Sequence, residues 1–461
     1  MLKRTLALGL LVGCGGLVQA ANLDVTSDYR MRAVSYSNLD LNLNDRDNHA
    51  FISNDARLGI GVRKISLETV KGEETTMDLG ILMRALGTAG STVTLASPLG
   101  GAANFYPSVN MTPFLENAYV KVHNLFGIPT TATFGRQTFK LGSGLLLDDD
   151  GAGLTGVVIE GDLPFWGMKA ETFIFNDRSS NNAPPNSLDL FGLALDLPTE
   201  GTWQFSQLFE RDRAVQPVYG CNQFNSNPDV AGGPQSCTIS KAMRSFSSAH
   251  YQISYGPIVF DGEAAMEKGV ATPTGIRPLA NHITYNGNAE VVRAKWKQRI
   301  PSVGEGIARI TMARGSGDKP NTPTTDEAFF PSHGHRFDGL ERTGFGEFFA
   351  ATPYQAFGGN YSTTTASGLT QGASGIVTVG AGFTPPAFHG VVLDIDYFLF
   401  QADRVQSGPR TLGTEWDVKL RYPILDHFLL AASAAVFSTG TATNPARGAA
   451  KKFSLEASGR F

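Results

Sequence analysis

Apolar and polar residues alternate along segment after segment of the chain, in runs of about ten residues. The clearest is Glu415-Trp416-Asp417-Val418-Lys419-Leu420-Arg421-Tyr422, where every odd position is charged and every even one apolar. Arg293-Ala294-Lys295-Trp296-Lys297-Gln298-Arg299 sets four cations on one face, and Val391, Leu393, Ile395, Tyr397 and Leu399 face away from Asp394 and Asp396. Alternation at a period of two puts successive side chains on opposite faces of a strand, whereas a helix, with its period of about 3.6, would spread the charges over a wide arc. A soluble β-sandwich would bury its apolar faces against each other in strands of about five or six residues. Longer strands with Trp and Tyr near their ends fit one face in lipid and the other in a wet interior.

The connections between these runs have a rhythm of their own. Brief turns containing Pro or Gly recur at about every second junction: Leu125-Phe126-Gly127-Ile128-Pro129, Leu163-Pro164-Phe165-Trp166-Gly167, Leu197-Pro198-Thr199-Glu200-Gly201, Tyr255-Gly256-Pro257, Ile300-Pro301-Ser302-Val303-Gly304, Pro385-Pro386-Ala387-Phe388-His389-Gly390 and Tyr422-Pro423-Ile424-Leu425-Asp426. Long polar stretches lie between them, around 88–113, 215–240 and 316–373. Strands are expected near 23–36, 50–63, 75–87, 114–124, 130–139, 153–162, 167–177, 188–197, 201–214, 241–255, 258–270, 284–300, 305–316, 374–384, 390–403, 413–422, 427–439 and 451–461. The prediction is an all-β transmembrane antiparallel up-and-down β-barrel of about 18 strands with short periplasmic turns and long extracellular loops. The turn after Arg63 is the only untidy one. The last strand carries Phe453, Leu455, Ala457, Gly459 and Phe461 on one face and Glu456, Ser458 and Arg460 on the other, a terminal alternation similar to the signal read by the barrel-assembly machinery.

Composition agrees with this picture. The chain has 461 residues, 52 of them Gly, and no long apolar run after the first twenty positions, so transmembrane helices are not expected. Lys3 and Arg4 precede an apolar segment from Leu6 to Val18 and a Val18-Gln19-Ala20 site ahead of Ala21, the pattern of a cleaved signal peptide over 1–20 and a single barrel domain over 21–461. Leu11-Val12-Gly13-Cys14 also fits a lipobox, with Cys14 lipidated; ordinary cleavage after Ala20 is preferred because a barrel holds itself in the membrane. Cys221 and Cys237, in a Gly-, Pro-, Asn- and Ser-rich stretch of an exported chain, suggest a disulfide closing one loop. The formal net charge of −4 becomes −6 once Lys3 and Arg4 leave, and no basic face points to nucleic acid.

The parity that avoids lipid lists the lumen: Asp261, Glu263 and Glu267 on one strand, Arg293, Lys295, Lys297 and Arg299 on the next, then Asp394 and Asp396, then Glu415, Asp417, Lys419 and Arg421. Acidic and basic rows on neighbouring strands read mostly as a ladder of ion pairs bracing the wall. The Arg293–Arg299 row, with the densest charge of one sign, is the one expected to touch solute. The stretch 316–373 holds His333, His335, Arg336, Asp338, Glu341 and Arg342, but no further ligand stands at a metal-site spacing. No nucleophile elbow, phosphate loop, dinucleotide turn or haem motif is present in a usable context, so neither catalysis nor a cofactor is expected.

Phe329-Phe330-Pro331-Ser332-His333-Gly334-His335-Arg336-Phe337-Asp338-Gly339 resembles the Gly-His-Lys-Phe-x-Gly segment of the alginate-export family of outer-membrane barrels. Phe134-Gly135-Arg136-Gln137 with Asp148-Asp149-Asp150 and Gly156, Leu412-Gly413-Thr414-Glu415-Trp416-Asp417, and Phe437-Ser438-Thr439-Gly440 are similar to other stretches of it. The resemblance implies a monomeric pore of about 18 strands. An alginate exporter has an Arg-rich cationic constriction, whereas the lumen inferred here is mixed in sign. The leading expectation is a porin of the bacterial outer membrane passing small hydrophilic or anionic solutes. The alternatives are an exopolysaccharide export pore for an alginate-like polyuronate, a barrel sheathing a periplasmic multihaem cytochrome, and an enzyme embedded in the wall. The partners expected are outer-membrane lipids, the barrel-assembly machinery during insertion, and a small or polymeric hydrophilic solute.

Overall fold

The computed structural model describes residues 21–38, 48–70, 72–90, 111, 113–149, 153–177, 188–213, 238–274, 282–319, 322, 324–329, 331–332, 345–346, 373–405, 407–441 and 449–461. The expected signal peptide with Cys14, the Cys221/Cys237 pair expected to form a disulfide, and the histidines at 333 and 335 lie outside these residues. Twenty strands hydrogen-bond in one sheet. Two of them are short, Ile283–Tyr285 and Thr325–Asp326, and the other eighteen form the wall of a closed antiparallel barrel. No described helix is long and apolar enough to cross a membrane; the chain crosses with strands.

Closure follows from the two ends of the sequence. The first strand, Asn22–Ser37, pairs with the second, Asn48–Val70, and also with the last, Ala449–Arg460, from Asp28↔Arg460 to Ser37↔Lys451. Ser27 and Phe461 complete the seam by exchanging both backbone hydrogen bonds at 2.8 Å. Closing the sheet removes the two edges whose unpaired groups lipid could not satisfy.

The alternation sorts the two solvents as expected. On Thr411–Leu425, Trp416, Val418, Leu420 and Tyr422 point outward and are exposed, while Glu415 and Asp417 point inward and are buried. The last strand exposes Phe453 and Leu455 and buries Lys452 and Ser454. At the short-turn end the chain reverses through left-handed residues, among them Asn124, Phe126, Trp166, Ser302 and His389 with φ of 48–66°.

Two features differ from the sequence expectation. The second strand does not stop near Arg63 but continues to Val70, because register shifts between Val62 and Ile65 and between Ser66 and Glu68 absorb extra residues as bulges. The alternation is interrupted there, which is why the turn looks untidy in sequence. In addition, the inward face is not wet throughout. In the half of the barrel nearer the long loops it is apolar and packed, with Phe173, Phe175, Leu188, Leu190, Leu208 and Phe246 almost fully buried. What they pack against is the chain itself, folded into the lumen.

The seam gives a direct test. Phe461 meets Phe428 edge to face and stacks on His427, at ring distances of 5.4 and 5.6 Å. Aromatic pairs contribute about 0.5–1.5 kcal/mol beyond their area. Phe461→Ala is expected to lower the temperature at which the barrel loses its folded migration on a gel by a few degrees while the backbone seam survives. An unchanged transition would show that the ring adds nothing to closure.

Candidate functional site: a lumen narrowed by two inward segments

After the strand Thr130–Gln137 the chain turns inward instead of outward. Residues 138–149 form a tight excursion, closed by Leu141 N–H donating to Leu147 O at 2.9 Å and Asp149 N–H to Phe139 O at 3.2 Å. Gly142 and Gly144 have φ of +56° and +91°, which side-chain-bearing residues avoid, and so permit the turn. Its apolar residues Phe139, Leu141, Leu145, Leu146 and Leu147 are buried, with Phe139 against Phe173 and Phe175 at 4.6 and 4.8 Å. Its polar tip is pinned to other strands. Gly142 N–H donates to Gln204 Oε1 at 2.6 Å, and the Ser143 N–H and hydroxyl donate to Glu263 Oε2 at 2.9 and 2.6 Å.

A second inward segment follows the strand Gly304–Gly315. Thr325–Asp326 pairs in parallel with Thr284 and Tyr285, and the chain then enters the lumen at Phe329. Ser332 N–H donates to Leu146 O at 2.9 Å, joining the two segments, and the Ser332 hydroxyl donates to Glu210 Oε2 at 2.7 Å. Glu210 belongs to a fully buried cluster in which Arg244 bridges Glu210 at 2.8 Å and Glu267 at 2.9 Å. Breaking such a pair by removing one partner costs about 3–5 kcal/mol, because the other charge stays buried. Gly346 of the same stretch of chain lies so close to Glu415 that a Cβ there would stand 2.7 Å from Glu415 Oε1.

Towards the short-turn end the lumen is polar. Arg293 reaches Asp261 at 3.4 Å, and Asp261 also holds His250 at 2.9 Å. Lys295, Lys297 and Arg299 are exposed and make no ion pair among the described residues. Asp394 accepts from Arg421 at 2.7 Å and from Thr384 at 2.6 Å. Arg309 reaches Asp394 at 3.3 Å and Asp396 at 3.0 Å. The strand between Arg309 and Asp396 carries Gly382 in register with both, and a Cβ on Gly382 would overlap the Asp396 carboxylate. Gly382 is therefore the gap through which the arginine crosses. On the other side of the barrel, Asp55 holds Arg30 and Arg84 at 2.8 and 2.7 Å, and Arg32 pairs with Glu456 at 2.7 Å across the seam.

The residues singled out in sequence thus divide. Arg293, Asp394, Asp396 and Arg421 belong to ion-paired groups, whereas Lys295, Lys297 and Arg299 stand free in the lower lumen. Glu415, beside Gly346, and Asp417 are buried, and Lys419 faces the same side, opposite Asp394 and Ser433. Sequence reasoning missed Arg309, Arg244 and Glu210, whose partners lie on other strands, and the inward course of 138–149. A signal for the latter existed: Phe173-Ile174-Phe175 is apolar on both faces, with Phe173 and Phe175 buried inside and Ile174 exposed outside. No group of three His, Cys, Asp or Glu among the described residues is arranged to hold a metal.

The second segment contains a titratable group outside the wall. Burial together with Asp326 and Glu327 pushes the Asp318 carboxyl up to about 9, so it is neutral at pH 7. Burial acts in the same direction on Glu327, but hydrogen bonds from Asp318, Thr322 and the Lys319 amide outweigh it and keep Glu327 ionised below the usual range. With its folded value raised, Asp318 stabilises the segment fully below the ordinary carboxylate range, and that contribution is lost as pH rises to about 9. Proteolysis at Lys319 is expected to increase as pH rises through about 9, and Asp318→Asn is expected to flatten the dependence. A pH-independent cleavage rate in the native chain would contradict this.

The docking of the first segment is open to a second test. Glu263→Ala removes two hydrogen bonds to a carboxylate, each worth about 1.5–3 kcal/mol. It is expected to give larger and noisier single-channel conductance in planar bilayers. Conductance identical to wild type would mean that the tip does not narrow the path.

No family model matches the sequence, and no curated protein sequence matches it. Solved structures do match in fold. OccAB1 of Acinetobacter baumannii aligns at a TM-score of 0.55 and 9% identity, covering 97% of this chain and 98% of that one. OccK11 (OpdR) of Pseudomonas aeruginosa aligns at 0.51 and 12%, covering 95% and 96%. OpdK of P. aeruginosa in a structure with vanillate aligns at 0.52 and 11%, covering 95% and 98%. The described residues therefore have the eighteen-stranded fold of these bacterial outer-membrane barrels, matched over 95–97% of the chain.

Proposed function

We propose that this barrel is a passive outer-membrane channel for small hydrophilic solutes that favours anions and carries out no chemistry on them. The observation that carries the reading is the free row Lys295, Lys297 and Arg299, beside Arg309 and Arg421, in the polar half of the lumen. Cations that already hold a carboxylate attract little, whereas three without an ion pair on one strand raise the local concentration of an anion. The inward segments set the size of what passes. Vanillate, an aromatic carboxylate, is present in the matching structure of OpdK and is a suitable probe solute.

Proteoliposomes should take up vanillate faster than a neutral aromatic of equal size. Lys295→Gln with Lys297→Gln and Arg299→Gln is expected to reduce that preference several-fold and leave uptake of the neutral solute unchanged. Equal effects on both solutes would sink the proposal.

Export of an alginate-like polyuronate is the second reading, supported by the local resemblances and by the same row of like charges. It requires a path wide enough for a polymer. Two segments of the chain cross the lumen, and Arg309 and Arg421 are tied to Asp394 and Asp396, both of which favour a small solute. Current block by oligouronates at lower concentration than by monocarboxylates would reverse the order. Sheathing of a cytochrome gains no support from an interior occupied by Phe139, Leu146 and Phe329.

A further inference from the structure

On the outside of the barrel, at the end bearing the long loops, four cations point outward from three adjacent strands. They are Arg211 on Thr202–Asp212, Arg213 just beyond it, Lys241 on Thr238–Tyr255 and Lys268 on Ile258–Thr274. Their direction follows from the pleat. Asp212, Leu188 and Ala242 are buried on the inside, while Phe209, Met243, Met266 and Val270, which share the parity of the four cations, are exposed. The described residues of the strands from Lys169–Asp177 to Ile258–Thr274 place one carboxylate on this face, Asp189. It pairs with Arg211 at 2.5 Å and lies 3.6 Å from Arg213, and Asn176 donates to it at 2.7 Å. Lys268 donates to the neutral side chain of Asn286. The face keeps a clear positive excess.

Directly below, towards the middle of the membrane, the surface changes character. Phe191 and Phe209 stack at 5.4 Å with both rings exposed, beside exposed Met243 and Met266. Further down, Trp203 stacks on Tyr251 at 4.5 Å. Cations, then aromatic rings, then aliphatic surface is the order of an amphiphile with an anionic head and hydrocarbon tails. Elsewhere on this rim, among the described residues, outward cations do not cluster: Arg136 donates to Leu115 O at 3.0 Å, Arg314 is held by Asp403 at 2.9 Å, and Lys451 stands alone on the last strand.

We infer that this face binds the phosphate groups of a phosphorylated glycolipid in the outer leaflet, with acyl chains lying on the Phe191–Phe209 surface. Phosphate accepts charge-assisted hydrogen bonds from several guanidinium and ammonium groups at once. The inference depends on which end of the barrel faces outward and is independent of what passes through the lumen.

Native mass spectrometry of the full-length protein with added bis-phosphorylated lipid A tests it. Arg213→Gln with Lys241→Gln spares the Arg211–Asp189 pair and so the local fold, which heat-modified gel migration verifies. Losing two charge-assisted contacts is expected to reduce the lipid-bound fraction by about tenfold or more. Lys451→Gln, an outward cation on another strand, is expected to change nothing. Millimolar inorganic phosphate is expected not to displace the lipid. Equal retention by the double variant, an equal loss in the Lys451 variant, or full displacement by inorganic phosphate would each overturn the assignment.

Discussion

Everything in this molecule depends on the sheet closing on itself. A strand in hydrocarbon has no water for its N–H and C=O groups, and each one left unpaired costs several kcal/mol. The first and last strands meet this requirement from Asp28↔Arg460 to Ser37↔Lys451, and Ser27 and Phe461 finish the seam. Once the cylinder is closed, each strand has one face in lipid and one in the interior, and the period-two pattern assigns every side chain to one of them. Lipid accepts Trp416, Leu420, Phe453 and Leu455 without further arrangement. The interior has to be filled or solvated.

This barrel does both, in different halves. Nearer the long loops, two segments of the chain enter the lumen and supply apolar surface that the inward faces of the wall bury. They are held by polar anchors: Ser143 on Glu263, and Ser332 on Glu210 within the Arg244 cluster. Nearer the short turns no described segment fills the space, and charges take over. Many are paired with residues of neighbouring strands, which braces the wall; Lys295, Lys297 and Arg299 are among those left to face whatever enters. Narrowing and attraction therefore come from separate parts of the lumen, the first from folded-in chain and the second from wall residues.

Most of the wall was legible in the sequence because a strand bathed in two solvents writes its parity into every second residue. The eighteen runs read from alternation and turn chemistry correspond to the eighteen wall strands, with ends shifted by a few residues. The departure at Arg63 has the same origin: a bulge breaks parity, so the continuation to Val70 does not register as strand. What lay beyond reach was non-local. That Arg309 would reach across one strand to Asp396 depends on Gly382 lacking a side chain, and nothing near Arg309 in sequence announces it. The excursion over 138–149 contains three consecutive leucines, Leu145, Leu146 and Leu147, a composition suited to a core, yet only the apolar inward faces of other strands reveal that a core awaits it.

The most direct test of the account is the reversal potential of the unmodified protein in a planar bilayer under a potassium chloride gradient. A lumen in which Lys295, Lys297 and Arg299 stand together without an ion pair predicts stepwise conductance with chloride more permeant than potassium. Cation selectivity, or a barrel that conducts nothing, would contradict it.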